Sequence, residues 1–337
     1  MSLKMINLGL VGGSGLVGGQ ILAQLERRNL AIKNLFVLGK ESVGQKISFH
    51  NKSFTIENLD EFDPKKIEYI IFSAGSEVAK KYVKKFLDAN VSVIDMSSQF
   101  RYQPDVPLII PEINIDELAK YQRPVLIANP NCSSAQLLLI LKNIHTEYNI
   151  SLLNIATYQA VSGTGQAAKD ELNFQLTGTN NTPKIFPKPI ANNVIPQCDV
   201  FLDNGFTKEE MKLDWETKKI LDENIDVIAT CARVPVENGH SEAIFMQVKK
   251  KPNLEKVLSL LEEQEGVKVI DDTQNEAYPT PLEHAQFSDE VCVGRIRTST
   301  SNQNFWISCW IVADNVFGKG AALNAIQILE EMIKRNL

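Results

Sequence analysis

Short apolar runs alternate with amphipathic stretches over the first third of the chain. Apolar runs of this kind are typical of buried strands, and apolar residues spaced by three and four are typical of helices. We predict helices at 16–28, 77–90 and 115–121, and strands at 6–11, 35–38, 69–73, 91–95, 108–110 and 125–128. Because strands and helices alternate, the sequence predicts an α/β fold with a Rossmann-type doubly wound parallel sheet.

The pattern changes after Asn131, where a long helical stretch is followed by longer apolar strands at 153–161, 226–236, 243–248 and 305–314. Strands of this length favour a mixed sheet. The end of the chain, 319–336, has apolar residues at helical spacing and is expected to pack back on the first domain. We therefore expect a dinucleotide-binding domain of residues 1–131 plus 316–337 and a second, α+β domain of residues 132–315. The proline-rich stretch 173–203 is expected to be mostly loop.

With 337 residues, 44% of them hydrophobic, the chain is long enough for about two domains. Its 35 basic and 41 acidic residues provide no positive excess that would favour nucleic acid or an anionic membrane. No apolar stretch approaches the ~20 residues that span a bilayer, and the chain runs from its start into a strand pattern instead of a signal peptide. We expect a cytoplasmic protein whose partners are small molecules, with no nucleic acid and no membrane.

The cysteines are odd in number, widely spaced and without a Cys-x-x-Cys pair: Cys132, Cys198, Cys231, Cys292 and Cys309. This pattern predicts neither a disulfide framework nor a zinc site, so we expect no metal.

A glycine-rich segment follows the first predicted strand and opens the first predicted helix. It fits the pattern G-x-G-x-x-G in the context that the motif requires. Glycines let the backbone approach a pyrophosphate, and the N–H groups at the helix start favour its negative charge. The alternative is an ordinary tight turn. The sequence therefore predicts a dinucleotide site that includes Gly12, Gly13, Ser14, Gly15, Leu16 and Val17.

The end of the second predicted strand bears on the choice between NAD and NADP. An acidic residue there favours the ribose hydroxyls of NAD, whereas cationic or hydroxyl groups favour the 2′-phosphate of NADP. The segment carries Lys40, Glu41 and Ser42, and thus both kinds of group. Lys40 and Ser42 favour NADP, and Glu41 weakens that preference.

Cys132 lies where a predicted buried strand ends and a new helix begins. A thiol at a helix N-terminus loses its proton more readily, and the carboxyl edge of a parallel sheet is where ligands bind. Cys132 is therefore our candidate nucleophile. The alternative, a buried structural cysteine, is the default for the other four.

Only four histidines can supply an acid or base: His50, His145, His240 and His284. His240 follows a glycine in a turn between two predicted strands, from which its ring can project into a cleft. The other three lie in polar contexts typical of solvated side chains.

Further motifs follow in order over essentially the whole chain: 12–18, 129–133, 159–165, 209–212, 233–236, 239–242, 314–315 and 319–322. Together they resemble the motif series of bacterial aspartate-semialdehyde dehydrogenases. The resemblance implies NADPH-dependent reductive dephosphorylation of L-aspartyl-4-phosphate to L-aspartate 4-semialdehyde, in the lysine, methionine and threonine branch of aspartate metabolism. It also implies a cysteine thioester intermediate and a homodimer whose interface involves the catalytic domain.

The same resemblance assigns roles to individual residues. Cys132 is expected to attack the carbonyl, and His240 to exchange the proton as an imidazole that titrates near neutrality. Arg233 offers a fork for the substrate's α-carboxylate, Glu209 faces the α-amino group, and Gln159 orients the substrate. For Gln159 the alternative is an amide that satisfies a strand edge.

The phosphate and the nicotinamide half of the cofactor are assigned in the same way. The family's phosphate-binding positions correspond here to Arg101, Lys212 and Asn131, and its nicotinamide positions to Ser162, Gly163 and Asn315. Residue types alone would make Arg101 a solvated loop residue and Glu209–Lys212 a surface ion pair. Relatives that bind NADP often carry arginine in place of Glu41, so this residue departs from the family pattern.

Three alternatives use the same fold. An N-acetyl-glutamyl-phosphate reductase usually has glycine and tyrosine flanking its cysteine, and a glyceraldehyde-phosphate dehydrogenase has Ser-Cys-Thr-Thr-Asn; neither motif is present. A noncatalytic dinucleotide-binding protein could share the fold without the chemistry. The joint presence of Cys132, His240, Arg233 and Lys212 argues against this third alternative.

Overall fold

The computed structural model describes residues 5–178 and 182–337, and the chain forms two compact units. The nucleotide unit, as we name the first, holds the chain as far as Pro130 together with Ala321–Leu337. The second is Asn131–Gly320, and we call it the catalytic unit because it corresponds to the domain that is expected to carry the chemistry. Helices and strands are numbered below in chain order.

The nucleotide unit contains a parallel six-stranded sheet in the order β5-β2-β1-β6-β7-β8, which confirms the predicted Rossmann-type fold. Its helices are α1 (Leu16–Arg27), α2 (Ser76–Leu87), α3 (Pro111–Asn114) and α9 (Ala322–Arg335). Its strands are β1 (Ile6–Val11), β2 (Ile32–Gly39), the hairpin β3 (Lys46–Phe49) and β4 (Lys52–Thr55), then β5 (Glu57–Asn58), β6 (Tyr69–Phe72), β7 (Ser92–Asp95) and β8 (Leu126–Ala128).

Both faces of this sheet are covered, which explains why its strands read as continuous apolar runs. Leu8 and Leu10 of β1 pack in one cluster with α1 and α9, whereas Val11 packs in another with α2. The strand alternation sends neighbouring residues to opposite faces, so each face needs its own apolar set. The amphipathic end of the chain thus completes one of the two layers, as its pattern predicts.

The glycine-rich loop joins β1 to α1 and requires glycine at particular positions. Gly12 has a φ of +83°, a left-handed conformation that glycine adopts without strain. A Cβ on Gly18 would lie 2.1 Å from the carbonyl oxygen of Gly12. The last glycine of the motif therefore lets the first turn of α1 pack directly on the loop.

The catalytic unit contains a mixed six-stranded sheet in the order β10-β9-β11-β14-β13-β12, again as predicted. Its strands are β9 (Ile150–Gln159), β10 (Asp226–Arg233), β11 (His240–Val248), β12 (Val267–Val269), β13 (Val291–Ser301) and β14 (Asn304–Ala313). Its helices are α4 (Cys132–Tyr148), α5 (Gln166–Thr177), α6 (Lys208–Ile220), α7 (Leu254–Glu262) and α8 (Pro281–His284).

Helix α4 is the core helix of this unit, and residues 133–141 are buried without interruption. It contacts the sheet as well as α6 and α7. A helix buried on all sides needs apolar residues all round, and the run of leucines and isoleucines in α4 provides them. The start of α4, with Cys132, is thereby held by the core of the unit.

The structure differs from the predicted elements in three places. Residues 173–177 belong to α5 and not to a loop, because Ala168 and Leu172 pack on Phe186 and Ile190 further along the chain. Residues 179–181 of the predicted loop lie outside the described residues. Leu108 forms an isolated bridge with Ala128 instead of a strand, and residues 115–120 form a 3₁₀ helix.

Within the described residues, no helix is both long enough and apolar enough to cross a bilayer.

Gly18 and Gly19, near the start of α1, allow a matched pair of substitutions that tests this packing. We expect Gly18→Ala to destabilise the nucleotide unit by about 1–3 kcal/mol, because its methyl group would overlap the Gly12 carbonyl. Gly19→Ala should stabilise it by roughly 0.5–1 kcal/mol, since no atom lies within 4 Å of its Cβ position. Hydrogen exchange of the α1 and β1 amides measures both changes; equal protection in the two variants would contradict the packing argument.

Candidate active site

The candidate nucleophile, Cys132, is the first residue of α4, and Asn131 is the N-cap. The Asn131 Oδ1 atom accepts hydrogen bonds from the backbone N–H groups of Ser133 at 3.0 Å and Ser134 at 3.3 Å. Its own backbone N–H donates to Oε2 of buried Glu216 at 2.7 Å. The cap therefore fixes the helix start, where the dipole favours a thiolate.

Cys132 differs from the other four cysteines, all of which lie in the described part of the chain. It is half-buried, whereas Cys198, Cys231, Cys292 and Cys309 are buried. Burial raises the pKa of Cys198 and Cys309 to about 12 and that of Cys292 to about 11, and it raises the pKa of Cys231 further. These four thiols stay protonated and unreactive near neutral pH.

Three strands bring predicted site residues to one edge of the sheet. Gln159 and Arg233 end the parallel strands β9 and β10 and are paired in register. His240 begins β11, which runs antiparallel to β9. The directions of the strands therefore collect residues that are far apart in sequence at the same edge.

His240 is fully buried, and its ring has a defined tautomer. The backbone N–H of Ala160 donates to Nδ1 at 3.0 Å, so the neutral ring carries its proton on Nε2. Among the described residues, Nε2 has no hydrogen-bond partner. Burial, and then the positive charge of Arg233, lower the pKa of His240 to about 3. The imidazole is therefore neutral at physiological pH. The expectation that His240 titrates near neutrality is wrong.

Gly163 separates Arg233 and His240 and lies against both. A Cβ at this position would be 2.9 Å from Nη1 of Arg233 and 3.1 Å from Cε1 of His240. The same Nη1 donates to the carbonyl oxygen of Ala160 at 2.6 Å. Ala160 thus binds the imidazole through its N–H and the guanidinium through its carbonyl, which holds the two side chains near each other.

Glu209 is the centre of a buried polar cluster. Its Oε1 atom accepts from Nδ2 of Asn131 at 3.0 Å and from Nε2 of Gln159 at 3.1 Å, and its Oε2 atom accepts from Nζ of Lys212 at 2.8 Å. A second carboxylate, that of Asp199, also lies 2.8 Å from the Lys212 ammonium. Direct hydrogen bonds therefore join the residue predicted to bind the substrate's amino group, Glu209, to three others. These are Gln159, predicted to orient the substrate, and Lys212 and Asn131, predicted to bind phosphate.

Glu209 and Lys212 are both ionised in this cluster. Burial alone would raise the pKa of Glu209, but the Lys212 charge and the hydrogen bonds from Lys212, Gln159 and Asn131 lower it to about 2. Burial likewise favours the neutral form of Lys212, yet Glu209 and Asp199 raise its pKa above the ordinary value. The pair is a buried ion pair and not the surface salt bridge considered as the alternative.

The N-terminus of α6 is fixed by a capping box between Thr207 and Glu210. Glu210 also accepts the backbone N–H of Cys231, on β10, at 2.9 Å. This contact ties the start of α6 to the strand that carries Arg233. Glu209 and Lys212, one helical turn apart, therefore lie beside that strand on one face of the helix.

A second buried network lies behind the nucleophile. Gln159 Nε2 donates to the hydroxyl of Ser133 at 2.8 Å, and Gln136 Nε2 donates to Glu242 at 2.8 Å. Burial raises the pKa of Glu242 well above its ordinary value, against the opposing effect of Gln136 and Ser133. Burial thus favours the protonated form of Glu242, which connects α4 to β11 two residues after His240.

The predicted nicotinamide positions of the catalytic unit are also in contact. Asn315 Nδ2 donates to Oγ of Ser162 at 3.0 Å, and Asn315 Oδ1 accepts the backbone N–H of Gly239 at 2.9 Å. Asn315 therefore holds the turn before His240 against the 3₁₀ turn that contains Ser162 and Gly163.

The remaining predicted cofactor residues belong to the nucleotide unit. Gly15 is the N-cap of α1 and has no side chain with which to bond the N–H groups of the first turn. Together with the close packing of Gly12 and Gly18, this arrangement fits a pyrophosphate. Glu41 and Ser42 follow β2 after Lys40, with Glu41 exposed and Ser42 half-buried.

Arg101, the remaining predicted phosphate ligand, belongs to the nucleotide unit and is only 6% exposed. Its Nη2 atom donates to the carbonyl oxygen of Met96 at 2.9 Å. Burial raises the pKa of nearby Asp95 to about 6, although the hydrogen bonds from Ser97 and the charge of Arg101 oppose that rise. Arg101 is a buried cation, so the alternative of a solvated loop residue is wrong.

Comparison with sequence families gives two matches that together span most of the chain. Residues 7–121 match the family described as semialdehyde dehydrogenase, NAD binding domain, and residues 141–317 match the semialdehyde dehydrogenase dimerisation domain. The proteins named aspartate-semialdehyde dehydrogenase from Shewanella violacea and Legionella pneumophila are each 43% identical to this chain. The matches cover 97% of this chain, and 98% and 95% of the two relatives, respectively.

The chain belongs to the aspartate-semialdehyde dehydrogenase family.

A solved structure of this family has the same fold throughout. The crystal structure of aspartate semialdehyde dehydrogenase II from Vibrio cholerae complexed with ASA is similar to this chain with a TM-score of 0.95 and 40% identity, over 99% of this chain and 100% of the other. Membership of the family confirms the resemblance that the motif series predicts. It also removes the reductase and glyceraldehyde-phosphate dehydrogenase alternatives as descriptions of the family.

The structure adds several residues to the candidate site that were not predicted from the sequence. Ser133 and Gln136 lie in the first turns of α4, Glu216 and Glu242 accept hydrogen bonds from Asn131 and Gln136, and Asp199 contacts Lys212. Glu242 stands within the 239–242 motif, which could have pointed to it. Asp199 stands in a stretch read as loop, and no local pattern connects it to a lysine thirteen residues later.

The buried imidazole makes stability depend on pH. An unfolded histidine has a pKa near 6.5, whereas folded His240 has a pKa of about 3, so between these values the unfolded state binds a proton that the folded state does not. The free energy of unfolding therefore falls as the pH falls through this window, by about 2 kcal/mol between pH 7 and pH 5.

We expect His240→Asn to lack this part of the pH dependence, because its amide oxygen can accept the Ala160 N–H without titrating. Urea denaturation, monitored by tryptophan fluorescence, measures the free energy of unfolding at each pH. The signal reports on the catalytic unit, because Trp215, Trp306 and Trp310 all belong to it. The control, His50→Asn, retains the buried imidazole and should follow the wild type. Identical pH dependence in all three proteins would refute a neutral buried His240.

Proposed function

We propose that this protein catalyses the reversible, NADPH-dependent reductive dephosphorylation of L-aspartyl-4-phosphate to L-aspartate 4-semialdehyde, through a thioester on Cys132. Family membership supports the substrate class, and the relative from Vibrio cholerae is known in complex with ASA. The reaction would serve the lysine, methionine and threonine branch of aspartate metabolism.

The observation that carries the proposal is the arrangement within the catalytic unit. The one half-buried thiol of the five cysteines opens α4, and its N-cap residue is bonded to the same glutamate that binds Gln159 and Lys212. That unit also contains a neutral imidazole beside a guanidinium. A nucleophile, a proton donor and charged groups for an amino acid and an anion are what this chemistry requires.

In the proposed mechanism, the Cys132 thiolate attacks the acyl-phosphate carbon. A carbon–sulfur bond forms, the carbon–oxygen bond to phosphate breaks, and phosphate leaves with the electron pair. Ser162, Gly163 and Asn315 would hold a nicotinamide, which would supply the hydride that reduces the resulting thioester. The carbon–sulfur bond of the tetrahedral oxyanion then breaks, which restores the Cys132 thiolate and gives the aldehyde.

The tautomer of His240 defines its part in these steps. Because Nδ1 accepts the Ala160 N–H, the resting ring can act only through the proton on Nε2. We propose that this N–H donates a hydrogen bond to the oxygen that becomes negative in the tetrahedral species. Arg233 disfavours an imidazolium ion and therefore keeps the ring in this form.

Substrate recognition is proposed to use the charged residues. Arg233 would bind the α-carboxylate through its planar fork, and Glu209, held ionised by Lys212, would accept the α-ammonium. Gln159 would orient the substrate from the end of β9. Lys212, Asn131 and Arg101 are proposed to bind phosphate.

For the cofactor we propose NADP. The glycine loop, 12–17, would hold the pyrophosphate, and Ser162, Gly163 and Asn315 the nicotinamide half. Lys40 and Ser42 favour the 2′-phosphate, whereas exposed Glu41 opposes it.

The test is NADP reduction at 340 nm with aspartate semialdehyde and phosphate, repeated with NAD. Wild type should reduce NADP only when phosphate is present. Cys132→Ala should lose about a thousandfold or more in kcat, because no other group can form the thioester. Cys292→Ala, which removes a buried thiol of β13, should stay within a few fold of wild type.

Each part of the proposal fails separately in this assay. Turnover by Cys132→Ala would exclude the thioester, and faster reduction of NAD than of NADP would show that Glu41 outweighs Lys40 and Ser42. A wild type that is inactive with both cofactors would exclude the substrate.

We also propose a homodimer that uses the outer face of the catalytic unit's sheet. Tyr158, Ile228 and Phe245 are 37%, 53% and 46% exposed on β9, β10 and β11. The register places them on one face, because Ile228 and Phe245 both lie opposite Asn154, and Tyr158 is four residues further along. An exposed apolar sheet face in a domain of the dimerisation family fits an interface between two copies.

We expect Phe245→Glu to convert the dimer to monomer, because the interface would bury one carboxylate from each copy without a partner. Size-exclusion chromatography with light scattering would show a mass near the 37.7 kDa of one chain instead of twice that value. Leu254→Glu adds the same charge at the exposed start of α7 and should leave the dimer intact. If Phe245→Glu remains dimeric, the interface lies elsewhere.

A further inference from the structure

Lys212 has two carboxylate partners at the same distance, and they differ in character. Glu209 and Asp199 each place an oxygen 2.8 Å from the Lys212 ammonium. Glu209 is buried and its oxygens are also bonded to Asn131 and Gln159, so it is fixed. The Asp199 side chain is 31% exposed.

The segment that carries Asp199 is anchored on both sides. Before it, Ile195 exchanges two backbone hydrogen bonds with Arg233, at 3.0 and 2.8 Å. After it, the Lys208 N–H at the start of α6 donates to the carbonyl oxygen of Val200 at 2.8 Å. Asp199 is thus fixed between the strand of Arg233 and the helix of Lys212, with a left-handed φ of +68°. Its position against the ammonium is a consequence of the fold.

The combined charge of Lys212, Glu209 and Asp199 opposes the binding of a further anion. Two carboxylates around one ammonium leave a net charge of −1, which repels a phosphate dianion. An ammonium has three N–H groups, two of which are directed to these carboxylates. Withdrawal of one carboxylate removes this repulsion and frees a second N–H of Lys212 for phosphate. Only Asp199, which is partly exposed, can withdraw and regain water.

We propose that Asp199 is an anion gate for the phosphate site: its carboxylate takes the place on Lys212 that a phosphate oxygen takes when phosphate binds. The inference rests on the proposed function, in which Lys212 is a phosphate ligand, and adds a residue that determines phosphate affinity. The ligand class is a tetrahedral oxyanion. Asp199 acts on affinity for phosphate and not on the bonds that form or break.

Two substitutions test the gate and keep the backbone conformation. Asp199→Asn retains an oxygen for the Val200 N–H, which Oδ1 now accepts at 2.9 Å, and asparagine tolerates a positive φ. Asp199→Gly removes the side chain, and glycine adopts this φ without cost. If one of them folds poorly, the other still gives the answer.

The expected result is a fall in the KM for phosphate of about 2- to 5-fold in both variants, the range of a partly exposed ion pair. The KM for aspartate semialdehyde should change less, because Glu209 and Arg233 retain their partners. Asp214→Asn is the matched control: it removes one negative charge from α6, where Asp214 pairs with Lys218 at 2.7 Å. Its KM for phosphate should equal that of wild type.

Calorimetric titration of each protein with inorganic phosphate, at constant ionic strength, gives the same comparison without turnover. Tighter binding by both Asp199 variants and not by Asp214→Asn supports the gate. An unchanged or weaker phosphate affinity overturns it, and the weaker affinity would mean that Asp199 orients Lys212 toward phosphate.

The assays also separate the gate from the proposed function. A wild type that reduces NADP with phosphate, accompanied by Asp199 variants of unchanged phosphate affinity, rejects only the gate. A wild type without phosphate-dependent turnover rejects the function, whereas the calorimetric comparison still measures how Asp199 affects anion binding.

Discussion

The buried ion pair between Glu209 and Lys212 is the interaction on which the candidate site depends. Removing two charges from water is unfavourable unless each finds good partners, and here Glu209 finds Lys212, Asn131 and Gln159. Through those partners it connects three separate elements: the cap of the nucleophile helix, the end of β9 and the first turns of α6. Loss of Glu209 alone would remove the acceptor of the Asn131 amide and leave Lys212 with Asp199 as its remaining carboxylate partner.

Burial sets the protonation states around this pair, and it does so differently for each group. Glu209 remains ionised because a cation is adjacent, whereas burial favours the neutral form of Glu242, whose hydrogen-bond partners are the amide of Gln136 and the hydroxyl of Ser133. His240 is neutral because burial and Arg233 act in the same direction. The candidate site thus combines fixed charges with a neutral imidazole, although all of these groups come from an ordinary set of titratable residues.

Much of the fold follows from local patterns. The apolar runs predict the parallel strands because both faces of that sheet are covered, and the glycine motif predicts the tight β1–α1 connection because no other residue fits at Gly12 and Gly18. Helix α5 was not predicted, since its apolar residues are few and its packing partners come from the following loop. The 3.6-residue pattern is weak wherever a helix depends on such distant contacts.

For the site, the sequence by itself determined the residue types, the place of Cys132 at a helix start and, through the motif series, the family. Only the tertiary structure decided the neutral state and tautomer of His240, the burial of Arg101 and the contact of Asp199 with Lys212. The physical reason is that a pKa depends on burial and on neighbours distant in the chain. His240 is bonded to a residue 80 positions away, and the cap of Cys132 to one 85 positions away. No local spacing carries that information.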